Sequence, residues 1–522
     1  MNNIQHTKII FTLALLLGIS VAATAQTYNY VPDSTFDGNG LKSFIYFNNI
    51  DRAYGCALQA DEKLVLAGLS KNPQTGSFEL CVTRLKVNGQ FDSTFHNNGT
   101  CFISMGQTQS VGGMTPKLKI AADGKIVVVN SGRSATGTSQ DMMICRLDTS
   151  GFLDPTFNGT GVLFIDMLGT GTQPDMLNAF DFDAAGNIYA AGVTRTGATP
   201  LDNDFAVVKV NTLGVLDTTF DNDGKKLFNP TGTAEYGRGI KVQADGKIVV
   251  GGVAGSNMYL LRFDSTGTLD NTFNTTGTVS IVFQLASDVG AMDIDSLGRI
   301  IIAGQLVTSN SNIAIARYRS NGTFDPNFGF NGKYVFNVGG LANVITDMHI
   351  QSDLKILLGG YADNATTGTD YLITRVDTSG TIDITFNTLG FVAQAVIGGN
   401  VDDQGNGMAV MNDGRIMMTG TTVFSSAVNE DLGIMRVKPV LATGIHENPA
   451  SQQIAVYPNP FENELRITSK VNCTATLLDL SGRVVERFEL TAGFNLIETS
   501  ILPAGIYFIQ LSTGGGVKLI KN

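Results

Sequence analysis

The 522-residue chain has no Trp, only four His and only five Cys. The cysteines (Cys56, Cys81, Cys101, Cys145 and Cys473) are odd in number and unclustered, which argues against a disulfide framework. Cys81 and Cys145 lie in the apolar runs Leu80-Cys81-Val82 and Met143-Ile144-Cys145 and read as small buried hydrophobes. No His-x-x-x-His or Cys-x-x-Cys spacing occurs, so a zinc site has no support. A Gly-x-Ser-x-Gly elbow and a phosphate-cradling glycine loop are also missing. Charged residues make up only 16%, with a formal net charge of -11. That balance speaks against nucleic acid or an anionic membrane as a partner, because both need basic patches. No apolar run reaches the roughly twenty residues that a membrane-spanning helix requires, so no transmembrane span is expected in the mature chain.

Glycine is plentiful, at 60 residues, and 43% of the chain is hydrophobic, a mixture suited to short strands and tight turns. Residues 1–25 have the layout of a secretory signal. Lys8 supplies positive charge, Ile9 to Leu17 an apolar run, and Ala23-Thr24-Ala25 a small-residue site for cleavage between Ala25 and Gln26. No Cys follows that site, so a lipid-anchored N-terminus is not indicated.

The rest is organised around a motif, Asp-x-x-Phe-x-x-x-Gly, that occurs seven times. Its copies begin at Asp33, Asp92, Asp154, Asp217, Asp270, Asp325 and Asp383, in steps of 59, 62, 63, 53, 55 and 58 residues. A near-fixed period decides the architecture before any single residue does. Within each period a short apolar stretch follows the Gly, and then a hairpin. The clearest hairpin is Ile240 to Gly252, turning at Asp245-Gly246. Asp-Gly between apolar runs is expected to form a type I′ turn, with positive φ at both central residues. The second hairpin strand is expected to end in Gly in six copies, with Asn130 the exception. A fourth strand carries a cation in every copy: Arg84, Arg146, Lys209, Arg262, Arg317, Arg375 and Arg436.

Four strands per period and no helical periodicity predict an all-β, seven-bladed β-propeller of four-stranded blades over residues 26–440. Each of the first six cations lies eight residues before the next motif Asp, pairing Arg84 with Asp92, Arg146 with Asp154, Lys209 with Asp217, Arg262 with Asp270, Arg317 with Asp325 and Arg375 with Asp383. Arg436 has no such Asp after it, and Asp33 no such cation before it. A closed ring would make those two neighbours. A charge repeated in every blade is expected to hold the blade together as a partly buried pair.

Residues 441–452 lose the strand pattern and read as a linker. Residues 453–522 carry short alternating strands, such as Leu465-Arg466-Ile467 and Ile506 to Leu511, and predict a small C-terminal β-sandwich.

Two resemblances follow from these residues. The seven copies, with Gly-x-Leu-Asp-x-x-Phe openings and Asp-Gly-Lys-Ile hairpins, resemble the delta-60 repeat family of bacterial β-propellers, which implies a fold and no activity. The tail resembles the C-terminal sorting domain of the type IX (Por) secretion system of Bacteroidota. That likeness rests on Tyr457-Pro458-Asn459-Pro460, Asp479 to Val484 with Gly482, Leu502 to Phe508 with Gly505 and Tyr507, and the terminal Lys518 and Lys521. It implies the Sec and type IX machineries as partners, and delivery to the cell surface or the extracellular space.

No catalytic residue or cofactor is indicated. Calcium is the one metal left open, at Asp221-Asn222-Asp223-Gly224 and Asp202-Asn203-Asp204. His96 occupies a turn position. His349 lies beside a hairpin strand. The segments Ser70–Ser77, Ser131–Gln140, Thr194–Asn203, Val307–Asn312 and Asp363–Asp370 differ most between copies and are rich in Ser, Thr, Asn and Gly. Variable loops on a rigid frame are where binding usually sits, here of a glycan or a surface protein. The expected function is a non-catalytic binding module. The alternatives are a secreted polysaccharide-active enzyme or a spacer in a surface matrix.

Overall fold

The computed structural model describes residues 27–441 apart from 48–49, 107–113, 135–136, 198, 200–201, 309, 399–400 and 424–429, and residues 454–522 apart from 458–459, 480–482 and 513–515. The expected signal segment, with Ala25 and Gln26, and the linker from residue 442 lie outside the described residues. The chain divides into two compact units, residues 1–441 and 442–522.

The first unit contains seven antiparallel sheets. Their first strands are Asp51–Leu58, Lys117–Ile120, Asp175–Phe182, Glu235–Val242, Ser287–Ile294, Asn343–Ile350 and Asp403–Val410, which define blades 1 to 7. In blade 4, Glu235–Val242, Ile248–Ala254, Asn257–Phe263 and Thr278–Ile281 pair in that order. The first strand of each blade packs against that of the next, and the seventh packs against the first. The unit is therefore a closed seven-bladed β-propeller. Apolar residues of neighbouring sheets form the core between blades, as where Phe205 and Val207 of blade 3 meet Ile248 and Val250 of blade 4. The second and third strands are thus covered on both faces, and Ile126–Gly132 is buried along its whole length.

The sequence repeat and the blade are out of phase by one strand. The stretch after each motif Gly is not the first strand of a new blade. It is the outer strand of the blade before, as Val162–Ile165 lies against Asp141–Leu147. The motif is the turn that reverses the chain, so the strand it delivers runs antiparallel beside the strand carrying the cation. The variable loops accordingly join second strands to third.

This phase shift closes the ring. Leu41–Phe44, after Gly40, has no preceding blade in the chain and pairs with Glu430–Leu441 of blade 7. Tyr28–Pro32 continues along the same edge, with Tyr28 opposite Leu441, so the strand runs one residue past the expected boundary of the ring. Asp33 N donates to Arg436 O (2.9 Å) and Arg436 N to Gly40 O (2.8 Å). Those bonds repeat the ones that Asp92, Arg84 and Gly99 make within a single stretch of chain.

Two local expectations are corrected. The hairpin turn is a type I turn followed by one left-handed residue, a G1 bulge, rather than type I′. Gly246 N donates to Gln243 O at 2.9 Å, and within that turn only Gly246 has positive φ, at 82°. Glu62 (60°) and Leu354 (66°) hold the equivalent position, which explains how those copies dispense with Gly. The repeated Gly does not end the second strand either. It sits inside the strand, opposite a bulge in the first, and the bulge presses a carbonyl onto it. A Cβ on Gly192 would lie 1.8 Å from Met176 O, and one on Gly360 1.9 Å from Val344 O. Blade 2, where Asn130 stands instead, has a short first strand paired without a register shift.

Each cation meets a motif Asp at 2.8 Å, in the pairs Arg84–Asp92, Arg146–Asp154, Lys209–Asp217, Arg262–Asp270, Arg317–Asp325, Arg375–Asp383 and Arg436–Asp33. The six guanidinium groups stack on the buried Phe of their motif, at 4.4 to 5.0 Å from the ring centroid. Arg84, Arg146, Arg262, Arg317 and Arg436 also donate to a carbonyl of the following blade, which for Arg436 is Val87 O of blade 1. Lys209 is the variant, lying over the Tyr189 ring instead.

The second unit is a two-sheet sandwich. Ile454–Tyr457, Glu464–Ser469 and Gly493–Glu498 form one sheet, and Cys473–Asp479, Val484–Leu490, Gly505–Leu511 and Gly516–Lys521 the other. Leu465, Ile467, Leu477 and Ile509 share its core.

Removing one partner of a buried pair leaves the other charge uncompensated, a cost of about 3 kcal/mol or more. Arg436→Ala is therefore expected to destabilise the ring by about that amount, as Arg84→Ala does within blade 1. Denaturant unfolding of the full chain checks this. A loss for Arg436→Ala far smaller than that for Arg84→Ala would show that closure does not depend on the pair.

Candidate functional site

The two ends of the ring are built differently. On one, the turn face, first and second strands are joined by five residues in all seven blades, for example 59–63 and 243–247. On the other, the loop face, second and third strands are joined by anything from two residues (255–256, blade 4) to eight (133–140, blade 2).

The turn face carries the ion pairs and a second cation that the sequence reading gave no role. The residue after the left-handed turn position is basic in six copies, and it reaches the same Asp. Lys63 lies 3.2 Å from Asp92, Lys125 3.1 Å from Asp154, Lys247 3.1 Å from Asp270 and Lys355 3.0 Å from Asp383. Arg299 and Arg415 stand further off, at 3.8 Å from Asp325 and 3.9 Å from Asp33. Its recurrence in the Asp-Gly-Lys hairpins was the available signal. Burial alone would raise the Asp92 carboxyl, but the Thr94 hydrogen bonds and the Lys63 and Arg84 charges hold it down at about 2. For Asp217 the bond from Lys209 is the largest influence, and the carboxyl again sits at about 2. These groups are saturated with partners, and their chemistry is structural. His96 belongs to the same frame: its φ is 44°, its N–H donates to Ser150 O of the next blade at 2.7 Å, and its ring packs on Phe152.

First strands of all seven blades line a central cavity of about 490 Å³ that includes Cys56, Lys119, Lys241, Asp293, Asp347 and His349. Lys119 pairs with Asp181, and Lys241 with Asp293 at 2.7 Å. Burial, reinforced by Lys241, lowers the Lys119 ammonium, and burial lowers the His349 imidazole. Asp181 accepts Val242 N (3.0 Å) and Asp347 accepts Met408 N (2.8 Å), each from the following blade. The channel charges thus tie inner strands together.

The loop face holds a contrasting set of acids at the start of the first strands. Asp51, Asp175 and Asp403 are buried and accept backbone N–H groups from the connections between blades: Tyr46 N (2.8 Å), Met167 N (2.8 Å) and Val396 N (2.7 Å). Among the described residues no cation meets them. Burial pushes the Asp175 carboxyl up to about 6, opposed by the Met167 bond and reinforced by Asp166 and Asp141. Asp431, buried near Asp51, is likewise raised to about 6.

At the calcium candidates, Asp221 binds Lys226 (3.0 Å), Asp223 accepts Lys225 N (2.9 Å) and Asp204 accepts Asn229 Nδ2 (2.7 Å). Among the described residues no group of three or more His, Cys, Asp or Glu is placed to hold a metal ion. All five cysteines are free. In the tail, Tyr507 donates from its hydroxyl to Pro503 O at 2.8 Å, Gly505 opens its strand, and Pro460 is exposed. Lys521 donates to Glu462 O and lies over the Phe461 ring. Pro458, Asn459 and Gly482 lie outside the described residues, as do the side chains of Tyr457 and Lys518.

Comparison with known proteins agrees with this division. Residues 455–522 match the secretion system C-terminal sorting domain. Residues 59–95, 121–157, 243–273, 298–328 and 351–386 match the family described as a domain of unknown function (DUF5122) beta-propeller. Every one of those matches ends at a motif Phe. The chain thus carries DUF5122 β-propeller repeats, in five matched segments, and a C-terminal Por secretion tail. That tail marks it for export to the cell surface or extracellular space through the secretion machinery. Among the described residues no helix is long and apolar enough to cross a membrane. No curated protein matches. Similar solved structures include a catalytically inactive virginiamycin B lyase from Staphylococcus aureus with quinupristin (10% identity, TM-score 0.43, 76% of this chain and 98% of that one). A PL25 ulvan lyase (12%, 0.45, 76% and 95%) and the β-propeller domain of the Trilobed protease from Pyrococcus furiosus (10%, 0.38, 77% and 98%) are others.

The loop-face acids generate a pH prediction. The folded pKa of Asp175, about 6, exceeds its unfolded value of about 3.9, so the stability it contributes is full below pH 4 and lost as pH rises through 6. Blade 6 has Asn343 at this position, accepting Val338 N (2.8 Å) and donating to Val338 O (3.0 Å). Asp175→Asn is therefore expected to stabilise the ring at pH 7 by up to about 2 kcal/mol and to be neutral at pH 4. Denaturation midpoints at both pH values check it.

Proposed function

We propose that the exported ring is a non-catalytic binding module and that its loop face is the binding surface. The supporting observation is the contrast between the two faces: invariant five-residue turns and a repeated ion pair on one, connections of two to eight residues on the other. A frame held by seven equivalent pairs keeps the loops at fixed positions while their sequences vary. Ser, Thr and Asn in those loops present hydroxyls and amides that suit a glycan or a polar protein surface. The Sec machinery would carry the chain across the inner membrane, with cleavage between Ala25 and Gln26 removing the signal. No cofactor enters this reading.

Purified ring screened against culture polysaccharides and surface proteins is expected to yield a ligand. Replacing residues 133–140 or 196–202 by the Gly255-Ser256 connection of blade 4 should then weaken its binding at least about tenfold, a loss of about 1.4 kcal/mol, with the melting temperature unchanged. Retention of full affinity by both variants would move the site to the channel or the turn face and defeat the proposal.

A further inference from the structure

At one position on the loop face blade 6 lacks a contact that blades 3 and 5 make, and, like blade 2 at Asp141 and blade 7 at Asp431, it keeps a buried Asp with a carboxylate oxygen unpartnered. In blades 3 and 5 the residue just after the outer strand is Asn, and it caps the residue just before or at the start of the third strand. Asn229 Nδ2 donates to Asp204 Oδ1 (2.7 Å), and Asn337 Nδ2 to Asn312 Oδ1 (3.0 Å). In blade 6 the register places Ala395 opposite Asp370, and Ala395 has no side-chain donor. Asp370 Oδ2 accepts Asn364 Nδ2 and Thr367 Oγ1, both at 2.9 Å. Its Oδ1 is buried with no hydrogen-bond partner, and the residue is only 3% exposed.

Asp370 lines a cavity of about 290 Å³ between the loop joining the second and third strands of blade 6 and the connection from blade 5. The wall is otherwise largely apolar, with Val338, Leu341, Ala362 and Phe391. The exposed Asp363 adds a second carboxylate at its edge, and no Lys, Arg or His is among the described lining residues. A buried carboxylate oxygen without a donor costs free energy, and a charged donor satisfies it most strongly.

We propose that this pocket binds a primary ammonium group at the end of a short aliphatic stem, the ammonium on Asp370 Oδ1 and the stem against Leu341 and Phe391. A lysine side chain and a free diamine share that chemistry. The inference rests on the reading of the loop face as a binding surface, but its test does not use the ligand of the longer loops.

The full chain is titrated with n-pentylammonium by NMR, with n-pentanol as the uncharged isostere. Millimolar affinity is expected for so small a probe, about -4 kcal/mol. Pentanol should bind at least about tenfold more weakly, because it lacks the charge. Ala395→Asn installs the cap of blades 3 and 5, and should abolish pentylammonium binding while holding the melting temperature. Asp370→Asn should do the same to binding. Cadaverine and Nα-acetyl-lysine methylamide then distinguish a diamine from a lysine side chain. Equal binding of pentanol and pentylammonium, unchanged binding in folded Ala395→Asn, or no pentylammonium binding at all would each overturn the proposal. None of those results bears on whether loops 133–140 and 196–202 bind a polymer.

Discussion

A cation on the third strand, held between the motif carboxylate and, for each Arg, the face of the motif Phe, is the contact on which the ring depends. It fixes the motif turn, and the turn in turn delivers the outer strand of the same blade. In five blades the guanidinium also reaches a carbonyl of the next blade, so one side chain joins strand, turn and neighbour. Burial makes such an arrangement worthwhile only when every donor is satisfied. The hydroxyls of Thr35, Thr94, Thr156, Thr219, Thr272 and Thr385, two residues after six of the seven Asp, bond its Oδ1, while Asp325 accepts Asn327 N instead and Arg436 Nε is left without a partner. Ring closure uses the same contact, Arg436 to Asp33, with the two partners brought from opposite ends of the propeller sequence.

The two faces treat buried carboxylates in opposite ways. On the turn face each Asp has at least one close cation, and where a shift is resolved the carboxyl is depressed. On the loop face Asp51, Asp175 and Asp403 are held by neutral donors, backbone amides and, for Asp51 and Asp403, the hydroxyls of Ser70 and Thr422, and burial raises them. Acid therefore relieves the second set between about pH 6 and 4 and releases the first only below about pH 4, so the two contributions act with opposite sign in separate windows. In the channel Lys119 is paired with Asp181 and Lys241 with Asp293.

The tail stands apart as a sandwich with its own core. Two of its motif residues pack within it: Tyr507 donates to Pro503 O, and Lys521 donates to Glu462 O and lies over the Phe461 ring.

The blade count and the ion pair were legible in the sequence because repetition states them seven times over, and the tail because its short motifs and alternating strands need no distant partner to be recognised. The phase of the blade was not legible. A linear period cannot say whether a strand pairs forward or backward, and only antiparallel registration decided that Val162–Ile165 belongs to the blade before it. The role of the repeated Gly was hidden for the same reason: the carbonyl that forbids a Cβ at Gly192 comes from a bulge in a different strand. The bare oxygen of Asp370 depends on Ala395, some two dozen residues away, and becomes visible only when the outer strand is laid beside the third. Local chemistry and periodicity determined which parts this chain would make; pairing between distant segments alone decided which side chains face one another, because hydrogen-bond register is a property of two strands and not of one.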